Sequence, residues 1–392
     1  MRTLTHKIQL DPTCKQEAYF KKACGVARFT WNWALAKWEE KYQAGISTNA
    51  LELKKEFNKL KSSDFPWVYE VTKYASQQPF IYLQRAFQGF FDKRTKYPKY
   101  KKKGIHDSFY IGGDQVKIIG KKVKVPNLGW VRLRELLRFA GKINGVTISR
   151  TADKWFMSVS VATDHQPARC ESQASVGVDL GIKSLAALSD GTTIPNPQPL
   201  KKELQRLKRY QKQLSRKKPT SKNRGKAKKR LAKLHYRITC SRSDYLHKLT
   251  ARLTKDYRNI VIEDLDVSDM AQQKNMARKI YDSGWHEFRR QLAYKAELRG
   301  NKLFIADRWY ASSKRCSSCG HVKEHLPLSE RIYRCSECHL EIDRDLNAAK
   351  CLEQLISTAS SAGIKACGQN GSTIMLKTLL QPVWKKQELS RV

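Results

Sequence analysis

The chain has 392 residues, enough for two to four structural units, and it carries a large excess of positive charge. Its 76 Lys and Arg residues against 36 Asp and Glu give a net charge of +40, which repels itself in a compact fold. We therefore expect a polyanionic partner, and nucleic acid is the obvious one. The sequence has no run of about 18 apolar residues and no basic-then-apolar leader, so we expect a soluble intracellular protein without a membrane span.

The first 168 residues combine helical and strand-like patterns. Residues 1–10 are predicted to form a short edge strand, after which apolar side chains such as Phe20, Cys24 and Trp31 recur every three or four positions and predict a helical unit over 11–103. Between 104 and 168, short β-branched and aromatic stretches separated by Gly, Pro and Asn predict a compact β-barrel or sandwich. The N-terminal strand would complete it, which makes the helical unit an insertion into a β-domain formed by residues 1–10 and 104–168.

A different order of elements follows a polar linker near residues 165–174. Two short apolar strands, an Asp190-Gly191 turn and a third strand predict an antiparallel meander. After a long basic helical stretch, the strand NIVIEDL, a helix ending at Gly300 and the strand KLFIAD predict a βαβ crossover. This is the RNase H-like plan, so we predict a multidomain α+β protein with an RNase H-like α/β domain over 174–314 and 340–356. Residues 357–392 lack periodicity and are expected to form a flexible tail.

Three carboxylates are the candidate catalytic residues. Asp179 follows an apolar strand, Glu263 ends another, and Asp345 opens a helix in DRDLNAAKCL. If the strands are neighbours and the helix packs on them, the three side chains converge at one end of the sheet. Converging carboxylates repel one another and favour hard divalent cations, usually Mg²⁺. A pair of such ions supports phosphodiester cleavage.

Four cysteines in two close pairs predict a metal site. Cys316-x-x-Cys319 and Cys335-x-x-Cys338, with fifteen residues between the pairs, match a zinc ribbon over 315–339 that holds one structural Zn²⁺. Four thiolates fill the tetrahedron and leave no open position for a catalytic water. Three neighbouring histidines are therefore expected to be surface residues: His321, His325 and His339.

Two basic segments are candidate nucleic-acid contacts. Residues 93–103 hold seven basic residues around two tyrosines, and residues 201–242 hold eighteen against a single acidic residue. So few counter-charges would weaken isolated helices, which favours a nucleic-acid backbone as partner. An apolar stripe in the second segment predicts two packed helices joined near KKPTSKNRG. The candidate contacts are Lys96, Lys99, Lys101, Lys102, Arg216, Lys217, Lys218, Arg224, Lys228, Lys229 and Arg230. Trp31 and Trp38 are predicted to be core residues.

The ordered set VGVDLGIKSLAALSDG, IVIEDL, WYASSKRCSSCG and CSECHLEIDRDLNAAK resembles the transposon-encoded TnpB (OrfB-type) proteins, which are related to type V CRISPR effector nucleases. The N-terminal segment KIQLDPTCKQEAYFKKACGVARFTWNWALA is also similar to that family. The resemblance gives Asp179, Glu263 and Asp345 the roles of RuvC magnesium ligands. It favours Asp345 over Asp343 because the family's acid directly precedes x-Asn-Ala-Ala.

The resemblance implies a bilobed protein with a wedge β-barrel, an inserted helical recognition domain, and a RuvC domain with an inserted zinc element. It implies an RNA-guided endonuclease that binds a transposon-derived guide RNA, reads a short motif beside its target and cleaves double-stranded or single-stranded DNA matching the guide. We expect such a protein in the cytoplasm of a bacterium or archaeon, associated with the nucleoid. The alternatives are a guided repressor without cleavage, a strand-transfer transposase, and a generic RNA-binding protein. The three acids favour the nuclease over the repressor and the RNA-binding protein.

Overall fold

The computed structural model describes residues 2–327, 329–361 and 377–378. The described residues divide into two compact units, the first ending at His165 and the second beginning at Gln166. Among the described helices, none combines the length and the apolar character that crossing a membrane would require.

The first unit is built on a seven-stranded antiparallel sheet in the order β2-β6-β7-β1-β5-β4-β3. Its strands are β1 (Arg2–Asp11), β2 (Ser108–Gly112), β3 (Lys117–Ile119), β4 (Lys122–Val125), β5 (Gly129–Leu133), β6 (Lys142–Thr151) and β7 (Lys154–Thr163). The predicted edge position of the N-terminal strand is wrong, because β1 is the central strand. Alternate residues His6, Ile8 and Leu10 are buried, and β1 pairs with β7 on one side and β5 on the other.

Three helices cover this sheet: α1 (Cys14–Gln43), α2 (Ala50–Leu60) and α3 (Lys73–Phe91). Thr13 starts α1 with a capping box, in which its side chain and that of Gln16 each accept a hydrogen bond from the other residue's backbone N–H. Trp31 and Trp38 are both predicted to be core residues. The prediction is confirmed for Trp31, which is buried. Trp38 is partly buried, and its ring stacks on that of Phe87 with 4.2 Å between the ring centroids.

The strands of the second unit are β8 (Ser175–Leu180), β9 (Ser184–Leu188), β10 (Thr193–Pro195), β11 (Asn259–Ile262), β12 (Lys302–Ile305), β13 (Ile332–Arg334), β14 (Glu341–Asp343) and β15 (Lys377–Thr378). Six form one sheet in the order β10-β9-β8-β11-β12-β15, and β13 pairs with β14 separately. The predicted meander is confirmed, since β8, β9 and β10 pair antiparallel. The predicted βαβ crossover is also confirmed, because β11 runs parallel to both β8 and β12.

The helices of this unit are α4 (Pro199–Ser215), α5 (Lys222–Asp256), α6 (Val267–Met270), α7 (Lys274–Ser283), α8 (Trp285–Arg299) and α9 (Arg344–Ser361). The predicted pair of packed basic helices is confirmed: α4 and α5 share a small core around Leu207, Leu234 and Ile238. Helix α9 continues to Ser361, into the predicted tail, and Lys377–Thr378 pairs with β12. The other residues of the predicted tail, 362–376 and 379–392, lie outside the described residues.

Candidate active site and metal centre

The register of two parallel strands makes Asp179 and Glu263 neighbours. Val178 of β8 lies opposite Ile262 of β11, so the next residue on each strand is one of the two acids. Adjacent strands are about 4.8 Å apart, and residues at matched positions of a parallel pair point to the same face. Both carboxylates therefore lie at the carboxyl ends of the strands and on one face of the sheet.

Helix α9 covers this face and carries Asp345 in its first turn. Gly177 of β8 allows the close approach, because a Cβ at this position would collide with the carbonyl oxygen of Ala349 in α9. Leu352 of α9 packs against Val261 of β11 in a small buried cluster. Asp345 precedes Ala349 by one helical turn, about 6 Å along the helix axis.

The three acids interact electrostatically. Loss of hydration raises the pKa of Asp179 well above its ordinary value, and the charges of Glu263 and Asp345 raise it further, while Arg344 opposes the shift. Burial also raises the pKa of Glu263, against a hydrogen bond of 2.5 Å from the Ser312 hydroxyl that lowers it. The site thus holds concentrated negative charge that nearby cationic side chains do not fully neutralise.

The structure separates the roles of two aspartates in the DRDLNAA segment. The Oδ1 atom of Asp343 accepts hydrogen bonds from the backbone N–H groups of Asp345 and Leu346, at 3.0 and 3.1 Å. Asp343 therefore caps the first turn of α9. The charges of both aspartates raise the pKa of Asp179, and the charge of Asp345 does so more than that of Asp343.

The fit of these acids to a divalent cation rests on their chemistry. Carboxylate oxygens are the preferred ligands of Mg²⁺, and a cation would offset the repulsion that raises the pKa of Asp179. Within the described part of the chain, only the four cysteines form a group of metal-ligating side chains whose ligand atoms all lie within 4.8 Å of one another. The three carboxylates are therefore a looser group than the thiols.

The cysteine cluster has the geometry of a zinc site. The Sγ atoms of Cys316 and Cys338 are 3.5 Å apart, as are those of Cys319 and Cys335. A tetrahedral Zn²⁺ with bonds of about 2.3 Å to sulfur separates its ligand atoms by about 3.8 Å. The four cysteines thus fit a Zn²⁺ ion after only small adjustments.

The two cysteine knuckles repeat the same backbone conformation. The N–H of Cys316 donates to the carbonyl of His321, and the N–H of Cys335 donates to that of Leu340, each five residues on. The residue after each second cysteine, Gly320 or His339, has a positive φ of +77° or +57°. His339 thus occupies a turn position that glycine fills in the first knuckle. The backbone N–H of Leu340, together with hydrogen bonds from the other cysteines, lowers the pKa of Cys338 to about 6, which favours the thiolate.

The cysteine module is bonded to elements that carry two of the acids. The buried Asn347 side chain accepts from the N–H of Ser317 at 2.9 Å and donates to the carbonyl of Arg315 at 2.6 Å. Asn347 lies two residues after Asp345, while Ser312, four residues before the first cysteine, bonds Glu263. The sequence analysis did not identify Gly177, Asn347 or Ser312 as part of the site. Asn347 could have been noticed, because it is a polar residue on the apolar side of α9.

The predicted nucleic-acid contacts lie in two separate units, and their role stays a prediction. Nine are exposed: Lys96, Lys99, Lys101, Lys102, Arg216, Lys218, Lys228, Lys229 and Arg230. The Lys101 ammonium lies 4.0 Å from the centre of the Trp31 ring, and Lys217 is half-buried. The guanidinium of Arg224 donates to the carbonyls of Leu214 and Lys217 at the end of α4, which gives it a structural role in the hairpin.

The fold and the cysteine cluster define a mixed α/β protein with a four-cysteine metal module. Three family models match the chain: "Probable transposase" over residues 158–293, "Cas12f1-like, TNB domain" over 285–352, and "Helix-turn-helix domain" over 1–47. The second match covers the cysteine module and Asp345. Over residues 1–47 the structure has strand β1 followed by the single long helix α1.

Two relatives match this chain over at least 90% of the length of each protein. The chain is 33% identical to "Putative RNA-guided DNA endonuclease InsQ" of Escherichia coli (strain K12), over 94% of each chain. It is 34% identical to "Putative RNA-guided DNA endonuclease" of Streptomyces pristinaespiralis, over 92% of this chain and 90% of that protein. The chain belongs to this family, the OrfB-type (TnpB) proteins of transposons.

A solved structure extends the likeness to the fold. In a cryo-EM structure of a Cas12f1-sgRNA-target DNA complex, one chain matches with a TM-score of 0.53 at 14% identity, over 86% of this chain and 83% of that chain. At this identity the match shows a shared fold alone.

Proposed function

We propose that this chain is an RNA-guided DNA endonuclease, which binds a guide RNA, recognises a short motif beside its target and hydrolyses phosphodiester bonds in guide-complementary DNA. The proposal is supported by the matched positions of Asp179 and Glu263 after β8 and β11 and by the charge of Asp345 acting on Asp179. The chain is also 33% identical to a relative named for this activity. Base pairing with the guide supplies sequence specificity, while the protein holds the duplex by its shape and backbone.

The proposal assigns a role to each part of the chain. Residues 1–10 and 104–168 form a wedge β-barrel, and 11–103 form the helical recognition domain inserted into it. Residues 174–314 and 340–356 form a RuvC domain of the RNase H-like type, interrupted by the zinc ribbon at 315–339. The meander and parallel strands of the second unit support the RuvC assignment.

The three carboxylates of Asp179, Glu263 and Asp345 would hold two Mg²⁺ ions. When bound, these ions supply an activated water and stabilise the leaving oxygen in phosphodiester cleavage. The chain's own residues set up this chemistry: Ser312 fixes the orientation of the Glu263 carboxylate through its hydrogen bond. Asp343 holds the first turn of α9, and with it Asp345, through its capping bonds.

The charge of the chain supports nucleic acid as its partner. A surplus of 40 positive charges can offset part of the phosphate charge of a guide RNA and of the target DNA, both double-stranded and as separated strands. A protein with this chemistry would act in the cytoplasm, at the nucleoid. The relatives from E. coli and Streptomyces support a bacterial setting.

The proposal is tested by purifying the full chain with the RNA it carries, sequencing that RNA, and offering DNA that matches its variable end. We expect cleavage with Mg²⁺ and none without it. The Asp179→Ala variant should bind the same DNA without cutting it. A wild-type complex that binds the target but leaves it intact in Mg²⁺ would favour the alternative of a guided repressor.

A further inference from the structure

One tryptophan of the second unit is almost fully exposed. The side chain of Trp309 is 86% accessible, the highest value for any large apolar residue in the described part of the chain. Tryptophan is costly to leave in water, because it presents a large apolar surface. Exposure of this extent is therefore a reason to look for a ligand.

The segment that carries Trp309 is anchored on both sides. The backbone N–H of Trp309 donates to the Asp307 carboxylate at 2.9 Å, and Arg308 forms an ion pair with Asp266 at 3.1 Å. On the other side, the Tyr310 hydroxyl donates to the carbonyl of Cys351 in α9 at 3.2 Å. These bonds fix the backbone around Trp309. The exposed ring therefore projects from an anchored segment.

This position adjoins the carboxylate site. Ile305, at the end of β12, lies opposite Ile262 of β11, and Glu263 is the next residue after Ile262. Trp309 follows Ile305 by four residues. Three residues further on, the Ser312 hydroxyl bonds Glu263 at 2.5 Å. The exposed ring thus belongs to a short segment that starts beside Glu263 and returns to it.

We propose that Trp309 is a positioning residue that stacks on a base of single-stranded DNA and so holds the strand at the carboxylate site. The inference rests on the proposed function, since it takes its ligand from the DNA to be cut. An aromatic face next to a catalytic site suits a separated strand, because every base offers a flat surface for stacking. A paired base inside a duplex does not expose that surface.

The test measures binding of a short single-stranded oligodeoxynucleotide by fluorescence anisotropy, with the full-length protein over a range of salt concentrations. Loss of one stacking partner weakens binding about 5- to 150-fold, so we expect a loss of this size for Trp309→Ala and near-complete rescue by Trp309→Phe. The dependence of affinity on salt should keep its slope, because no phosphate contact is removed. The matched control is Tyr281→Ala, an exposed aromatic of α7, which should bind as the wild type does.

A second readout locates the stacked base. A set of oligonucleotides is made in which each carries a single abasic site at a different place. The wild-type protein should bind one member of the set more weakly than the others. The Trp309→Ala variant should bind all members equally. Equal affinity of wild type and Trp309→Ala, or a changed salt slope, would overturn the inference even if the wild type cleaves DNA. Absence of guided cleavage would reject the proposed function and leave this binding result standing.

Discussion

The second unit contains two groups of side chains whose chemistry suits metal ions, the four cysteines and the three carboxylates. The structure brings the members of each group together to different degrees. The cysteine Sγ atoms all lie within 4.8 Å of one another. Among the carboxylates, burial raises the pKa of Asp179 and Glu263, and the charges of Glu263 and Asp345 add to the shift at Asp179.

The two sites are suited to different tasks. The cysteine site is closed by two short knuckles, in each of which the N–H of the first cysteine donates to a carbonyl five residues on, so it is complete within its own segment. The carboxylate site is assembled from two strands and a helix, and its charge remains poorly compensated. A closed site stabilises a fold, whereas an electrostatically incomplete one can take up ions and a substrate phosphate.

The largest expected effect separates Asp345, in the first turn of α9, from Asp343, which caps that helix. Asp345→Asn should reduce guided DNA cleavage by at least about 1,000-fold, because a metal ligand at the reacting phosphate is lost. Asp343→Asn should stay within a few-fold of wild type, since asparagine caps a helix as well as aspartate does. Single-turnover cleavage in Mg²⁺ measures both. Equal losses in the two variants would remove the distinction between ligand and cap.

Breaking the cysteine site should affect folding before chemistry. Cys316→Ser should lose the single Zn²⁺ ion and lower the melting temperature by about 5 °C or more, because binding of structural zinc contributes to folding. Zinc content by atomic emission and a thermal melt measure the two effects. Cys240→Ser, at an exposed cysteine of α5 outside the cluster, is the matched control. Retention of zinc by Cys316→Ser would mean that another ligand completes the site.

A milder effect tests the connection between the sites. Asn347→Ala removes two hydrogen bonds between α9 and the first knuckle, so the Mg²⁺ concentration for half-maximal cleavage should rise about 10- to 100-fold while zinc is retained. Gln354→Ala removes one exposed bond to the same knuckle and should change this concentration less than about 3-fold. If Asn347→Ala behaved like Gln354→Ala, the knuckle would not help to position Asp345.

The smallest effect concerns stability without Mg²⁺. An acid whose pKa is raised on folding costs free energy when ionised, and this cost is present above the folded-state pKa and falls as the pH drops through it. Asp179→Asn should therefore raise the melting temperature of the zinc-loaded, Mg²⁺-free protein at neutral pH by about 2–4 °C. Addition of Mg²⁺ should then stabilise the wild type and not the variant.

Asp190 offers a control of opposite sign for this melt. Burial alone would raise its pKa, but hydrogen bonds from the Tyr257 hydroxyl and from Thr192 outweigh burial and lower it. Its ionised form therefore stabilises the fold at neutral pH, and Asp190→Asn should lower the melting temperature. If both substitutions lowered the melting temperature, the free energy of keeping Asp179 ionised would not be the main effect of the side chain on stability.

The sequence predicts the two sites unequally well, for physical reasons. The spacing of the cysteines is enough to predict the metal cluster, because each knuckle is local. The meander, the βαβ crossover and the basic hairpin also follow from short-range patterns. The central position of β1 does not, because it depends on pairing with β5 and β7, more than 100 residues away. A short strand with imperfect alternation is easily assigned to an edge.

The contacts that assemble the carboxylate site are also long-range. The sequence does not show why a glycine is needed at position 177, because the reason is the close approach of α9. The hydrogen bond from Ser312 to Glu263 likewise joins residues that are 49 apart in the chain. The same is true of Asn347 and the first knuckle, about 30 residues apart. Such residues show their importance only in the folded chain, where they set the distances between groups that the sequence already marks.

The most direct test of the central claim is a crystal structure of the full chain with its RNA in Mn²⁺, with the ions located by anomalous scattering. The account predicts Mn²⁺ bound by carboxylate oxygens of Asp179, Glu263 and Asp345 together, at octahedral-type distances of about 2.0–2.3 Å. Ions bound elsewhere on the chain, with these three carboxylates pointing apart, would contradict it.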